Sequence, residues 1–112
     1  MNIENINAKN GDVIIKLSGE MDALGCSKIR PNLQQITEQQ HSHTVVDINE
    51  INFIDSSGIG AIVFLYKRLK QQGRSMEIVG VQGQPRELIT LLNIDSAISV
   101  STAANINHQQ KA

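Results

Sequence analysis

The stretch Asn52-Phe53-Ile54-Asp55-Ser56-Ser57-Gly58-Ile59-Gly60 decides how this chain is read. A β-branched run, Thr44-Val45-Val46-Asp47-Ile48, precedes it and has the composition of a buried strand. Behind it, Ile59, Ile62, Val63, Tyr66 and Leu69 fall at helical spacing. The nine residues are therefore the joint between a strand and a helix, with two hydroxyls and a carboxylate at the helix start. The first turn of a helix carries unpaired N–H groups and a partial positive charge. Both favour an anion such as phosphate. The flanking glycines leave a serine hydroxyl open to a docking protein. These features point to a phosphorylation switch on a protein-binding surface, not to a catalytic centre.

Working outward, the pattern alternates strand and helix. Ile3, Ile6 and Ala8 give a weak first strand, and Asn10-Gly11 offers a hairpin turn. Asp12 to Ser18 reads as a second strand, broken by Gly19. Asp22 is a good N-cap for a helix with Cys26, Ile29, Leu33 and Ile36 on one stripe. Pro31 lies inside that stripe, so a kink or restart is expected near Arg30. Residues 39–43 form a polar loop before the Thr44–Ile48 strand. The helix after Ser57 ends at Gln72-Gly73, with Lys67, Arg68 and Lys70 near its C-terminus, where cations suit the dipole.

Met76 to Val81 is a fourth strand. Pro85 opens a helix carrying Leu88, Leu91 and Leu92, stopped near Asn93. Ile98-Ser99-Val100 reads as a short edge strand. Thr102 is a candidate cap for a last helix, with a polar, frayed tail from about residue 105. The whole predicts one α/β domain with a first hairpin that makes the sheet mixed.

Composition narrows the function. The 112 residues suffice for one core, and ten Lys and Arg against eleven Asp and Glu give a net charge of -1. No electrostatic footprint for nucleic acid or anionic lipid is present, and Phe53, Phe64 and Tyr66 are the only aromatics. Cys26 is alone, so there is no disulfide framework, and it reads as a small core residue in a reduced cytoplasmic setting. The N-terminus lacks the basic and apolar regions of a signal peptide. The longest apolar run, around residues 61–66, is far short of the roughly 18 residues needed to span a bilayer. A soluble protein without membrane or nucleic-acid partners is expected.

The chain resembles the STAS domains and, within them, the stand-alone anti-sigma factor antagonists of bacterial partner-switching systems. Two motifs carry the likeness: Phe53-Ile54-Asp55-Ser56-Ser57-Gly58-Ile59-Gly60, similar to that family's phosphorylation loop, and Leu17-Ser18-Gly19-Glu20-Met21-Asp22, similar to the acid-bearing end of its second strand. The order of elements agrees from about residue 6 to 104. The resemblance implies a mixed sheet of four to five strands against about four helices, mainly in a single layer on one face. It also implies a cycle. The unmodified protein binds an anti-sigma factor or related serine protein kinase. That kinase, with its own ATP and magnesium, phosphorylates Ser57 and ends the complex, and a metal-dependent serine phosphatase restores the binding form.

Carried over by position, Ser57 is the acceptor, Asp55 and Ser56 shape the loop, and Asp22 is a nearby acid of the partner-binding surface. Gly58, Ile59 and Gly60 complete the contact segment, the glycines admitting a partner's backbone. No cofactor or metal of its own is implied. The output is a sigma factor or a related response such as biofilm or stress control.

Electrostatics make such a switch feasible without a large conformational change. Phosphate adds a charge of about -1.5 to -2. A carboxylate about 5 Å away repels it by roughly 3 kcal/mol per unit charge at an effective dielectric near 20. A hundredfold loss of affinity needs only about 2.7 kcal/mol.

Other readings stay open at this point. A serine or aspartate at a helix start can be a plain cap, and so can Asp22. Ser56 and Ser57 share one turn, so either could carry phosphate. A serine hydrolase would need a base, yet nothing places His41, His43 or His108 near Ser57, and the Gly-x-Ser-x-Gly elbow is absent. His41-x-His43 lacks further metal ligands at suitable spacing, and the loop lacks the lysine of a nucleotide-binding Gly-x-x-x-x-Gly-Lys. The chief alternative is a phosphorylation-independent STAS adaptor that binds a transporter component or a small ligand.

Overall fold

The computed structural model describes residues 1–7, 11–39 and 41–102. Five strands form one sheet in sequence order: β1 (Asn2–Asn7), β2 (Val13–Met21), β3 (His43–Ile54), β4 (Ser75–Val81) and β5 (Ser99–Thr102). β1 pairs antiparallel with β2, and the remaining pairs are parallel. The connections are α1 (Ala23–Glu38), α2 (Ser56–Gln71), and α3 (Gly83–Leu91) followed by a 3-10 turn at Ile94–Ser96. Each parallel step moves one strand over in the same direction. Right-handed crossovers then put the connecting helices on one face, the single helical layer expected from the sequence.

Alternation decides what is buried. Val13, Ile15, Leu17 and Met21 of β2 and Val46, Ile48 and Ile54 of β3 face the helices. Cys26, Ile29, Leu33 and Ile36 of α1 and Ile59, Ile62, Leu65 and Leu69 of α2 close over them. Each aliphatic side chain so buried contributes about 1.5–3 kcal/mol. The opposite face of the β1–β3 ladder carries Glu4, Lys16 and Asp47 in adjacent register.

Several expectations are corrected. Gly19 does not end β2. It takes φ +105 beside a register shift, and a Cβ there would press on the Met1 backbone at 3.1 Å, so glycine lets the strand bend and continue. Pro31 does not interrupt α1. It and Ser27, whose carbonyl it cannot serve, lie on the exposed side, open to solvent. β3 runs six residues beyond Ile48, and its last half has β2 on one side only. Within α3, Pro85 and Ile89 are buried, Leu88 packs partly buried against the core, and Leu91 and Leu92 are exposed.

Three α-helices, not four, lie among the described residues. Thr102 belongs to β5; the last helix expected after it, Ala8 and Asn10 lie outside the described residues.

The stop signals behave as expected. Gly73 takes φ +73 after α2, with its N–H donating to the Lys70 carbonyl and that of Arg74 to Leu69. Asn93 takes φ 61 after α3.

Candidate functional site

β2 and β3 end side by side, and each hands over to a helix through an aspartate. Asp22 sits in extended backbone before α1, its Oδ1 accepting from the Gly25 N–H at 2.8 Å. Asp55 does the same before α2, its Oδ1 accepting from Ser57 N–H at 2.8 Å and Gly58 N–H at 3.3 Å. The Asp55 N–H donates to the Met21 carbonyl at 3.3 Å, tying the two strand ends together. The two helices therefore start as neighbours, with positive ends and capping carboxylates at one edge of the sheet.

The cap has a consequence for the serines. Asp55 satisfies the first N–H groups of α2, so neither Ser56 nor Ser57 is used as a cap. Ser56 is exposed and Ser57 half-buried, and neither hydroxyl has a hydrogen-bond partner among the described residues. Ser57 opens on a groove of about 570 Å³ between α1 and α2, lined on the α2 side also by Gly60, Ala61 and Phe64. Cys26 lies on the α1 wall. Burial pushes its thiol pKa up, the Asp55 and Asp22 carboxylates add to that, and Arg30 opposes it. The thiol is therefore neutral at physiological pH.

Two members of the expected contact segment face inward. A Cβ on Gly58 would lie 2.4 Å from Ile54 Cγ1 and 2.7 Å from the Met21 carbonyl oxygen. Its missing side chain thus lets α2 approach the sheet; it does not admit a partner. Ile59 is only 9% exposed and belongs to the core. Asp22, Asp55, Ser56, Ser57 and Gly60 stay together at the accessible edge, and a Cβ on Gly60 would meet no atom within 4 Å.

Gln84 escaped the sequence reading. Its side-chain amide accepts from the Ile54 N–H at 2.9 Å and donates to the Ile54 carbonyl at 2.8 Å. Gln82 donates to the Asn49 carbonyl at 2.9 Å. These side chains stand where β4 no longer reaches β3, so they replace a neighbouring strand just before Asp55. Local sequence carries no signal for this, because the pairing depends on where α3 packs.

The histidines lie elsewhere. His43 bonds to Ser75 Oγ and Glu77 Oε2, both at 2.6 Å, at the far end of β3. His41 Nε2 bonds to Gln39 Oε1 at 2.9 Å. Among the described residues no three His, Cys, Asp or Glu side chains gather as metal ligands. No described helix is long and apolar enough to cross a membrane.

Comparison with known proteins agrees with this architecture. The chain is 32% identical over 82 residues to an anti-sigma F factor antagonist of Paenibacillus polymyxa, covering 72% of this chain and 70% of that protein. It is 24% identical over 102 residues to an anti-sigma-B factor antagonist of Bacillus subtilis (strain 168), covering 90% and 93%. In fold it matches the anti-sigma factor antagonist SpoIIAA in its unphosphorylated form, with TM-score 0.77 and 16% identity over 98% of this chain and 96% of that one. The phosphorylated form of SpoIIAA from Bacillus matches with TM-score 0.71 and 16% identity, over 96% and 98%. The STAS domain model matches residues 5–108, and the chain belongs to the STAS domain family.

Proposed function

We propose that this protein is a regulator of the anti-sigma factor antagonist type, without enzymatic activity of its own and acting in the cytoplasm. Its unmodified form binds an anti-sigma factor or related serine protein kinase through the edge formed by Asp22, Asp55, Ser56, Ser57 and Gly60. The kinase transfers the terminal phosphoryl group of its ATP to the Ser57 oxygen, the hydroxyl proton is lost, and ADP leaves. The new charge beside Asp22 and Asp55 ends the complex. A metal-dependent serine phosphatase reverses the modification by hydrolysis. The released partner alters transcription or a related output such as biofilm or stress control.

One observation carries this reading: Asp55 takes the capping role, leaving the Ser57 hydroxyl half-exposed and unbonded. The names of the relatives support the same direction. Ser56 shares the exposed turn and is the second candidate acceptor. The groove beside Ser57 favours one other reading, an adaptor that takes a small ligand or a transporter component there without phosphorylation.

A comparative pull-down from the native lysate separates the two. Wild type, Ser57→Ala and Ser57→Asp would each be used as bait, with the captured proteins identified by mass spectrometry. The expected result is a kinase-fold partner held by wild type and alanine and lost with aspartate. Equal retention by all three would transfer the assignment to the adaptor.

A further inference from the structure

The groove beside the acceptor serine also contains a cation. Arg30 lines the α1 wall and Ser57 the α2 wall. Arg30 is exposed and forms no hydrogen bond or ion pair among the described residues. By contrast, Arg68 stacks over the Phe64 ring at 5.6 Å and Lys70 over Tyr66 at 5.7 Å. Helical side chains lean towards their own N-terminus. Because α1 and α2 start at the same edge of the sheet, that lean carries a side chain from position 30 towards the mouth where Ser57 opens. Its charge is felt at the Cys26 thiol, which also feels Asp55 and Asp22. The space between the walls is kept clear by Gly60 and Ala61.

A phosphoryl group on Ser57 would meet two kinds of neighbour. Asp22 and Asp55, at the helix starts, repel it. Arg30, further along the groove, attracts it, and a guanidinium fork matches two phosphate oxygens at once. Resting on the assignment of Ser57 as acceptor, we infer that Arg30 receives the phosphoryl group of phosphorylated Ser57 within the same molecule. The modified serine then lies across the α1–α2 groove. Phosphorylation covers part of the docking surface as well as charging it. A phosphatase must first draw the phosphate away from Arg30, so this residue sets the lifetime of the modified state.

The test uses the full chain with phosphoserine installed at position 57 during translation, in four versions: otherwise wild type, Arg30→Met, Arg30→Lys and Arg68→Met. Phosphorus NMR follows the second ionisation of the phosphate, which titrates near pH 6 in an unperturbed phosphoserine. Pairing with Arg30 favours the dianion, so its pKa should be lower in the wild type than in Arg30→Met by about half a unit or more. Arg30→Lys should fall between them, and Arg68→Met should match the wild type. Equal values for wild type, Arg30→Met and Arg30→Lys would overturn the pairing. The phosphate is supplied without a kinase, so this outcome is independent of the pull-down. Retention of the partner by Ser57→Asp would remove the switch and leave the pairing measurable.

Discussion

The two ends of the parallel sheet are built differently. At the end where β3 and β4 begin, polar groups are bound to one another. The Arg74 guanidinium donates to the carbonyls of Ile36, Thr37 and His41 and to Gln72 Oε1, and the Gln72 amide donates to Thr37. His43 bridges Ser75 and Glu77. One group there stands apart, the Thr44 hydroxyl, buried without a partner among the described residues. At the other end, Asp22 and Asp55 satisfy the backbone and leave the serines free. The first end closes a helix C-terminus; the second holds the serine hydroxyls, unbonded among the described residues, above the capped helix starts. The second arrangement fits the proposed modification, because a hydroxyl already committed to the fold cannot be modified without loosening it.

The largest stability effect is expected at the closed end. Arg74→Met removes the guanidinium donors that finish α1: the His41 carbonyl loses its donor, while the Thr37 and Ile36 carbonyls keep the Gln72 amide and the Gln39 N–H. Losing these charge-assisted hydrogen bonds, with water replacing some of them, costs about 2 kcal/mol in total. Urea denaturation should show that loss, while partner capture in the pull-down stays at the wild-type level. A simultaneous loss of capture would break the separation between the two ends.

A smaller effect is expected from the cap at the open end. Asp55→Ala should cost about 1 kcal/mol, the usual worth of an N-cap. Ser57→Ala, two residues on, should stay within about 0.5 kcal/mol, as for surface positions without a structural role. The difference between these two denaturation midpoints measures how far capping and signalling are divided between adjacent side chains. If Ser57→Ala proved as costly as Asp55→Ala, Ser57 would be a structural residue.

Much of this division was legible in the sequence, and the exceptions have physical causes. The stripe of α1, the Asp22 cap, the start and stop of α2 and the parallel strands follow from periodicity and turn chemistry. The last half of β3 does not, because Asn49, Glu50 and Asn52 break the apolar pattern, and on the side away from β2 its partners are the Gln82 and Gln84 side chains. Pro31 suggested a kink because sequence does not say that its turn faces water. Among the expected site residues, Gly58 was assigned to the partner when its close approach is to Met21 and Ile54. A motif shows that a glycine is required; only tertiary contacts show which surface requires it.

The smallest predicted effect probes the charge balance beneath the open end. The Cys26 thiol is held above its ordinary value of 9.0, chiefly by burial, then by Asp55 and Asp22. In the unfolded chain the same thiol ionises at its ordinary pH. A group whose folded pKa is raised gives its full stabilisation below the unfolded pKa and loses it as pH rises through the folded one. The Cys26 contribution is therefore constant up to about pH 8 and declines above pH 9. Urea midpoints at pH 7.5 and 10 should fall more steeply in the wild type than in Cys26→Ala, whatever the offset between the two proteins at pH 7.5. Asp55→Asn removes one of the charges that raise the thiol, so it should make the wild-type decline shallower. If Asp55→Asn leaves the slope unchanged, the Asp55 charge does not reach the thiol, and the helix-start carboxylate beside Ser57 does not act across the groove.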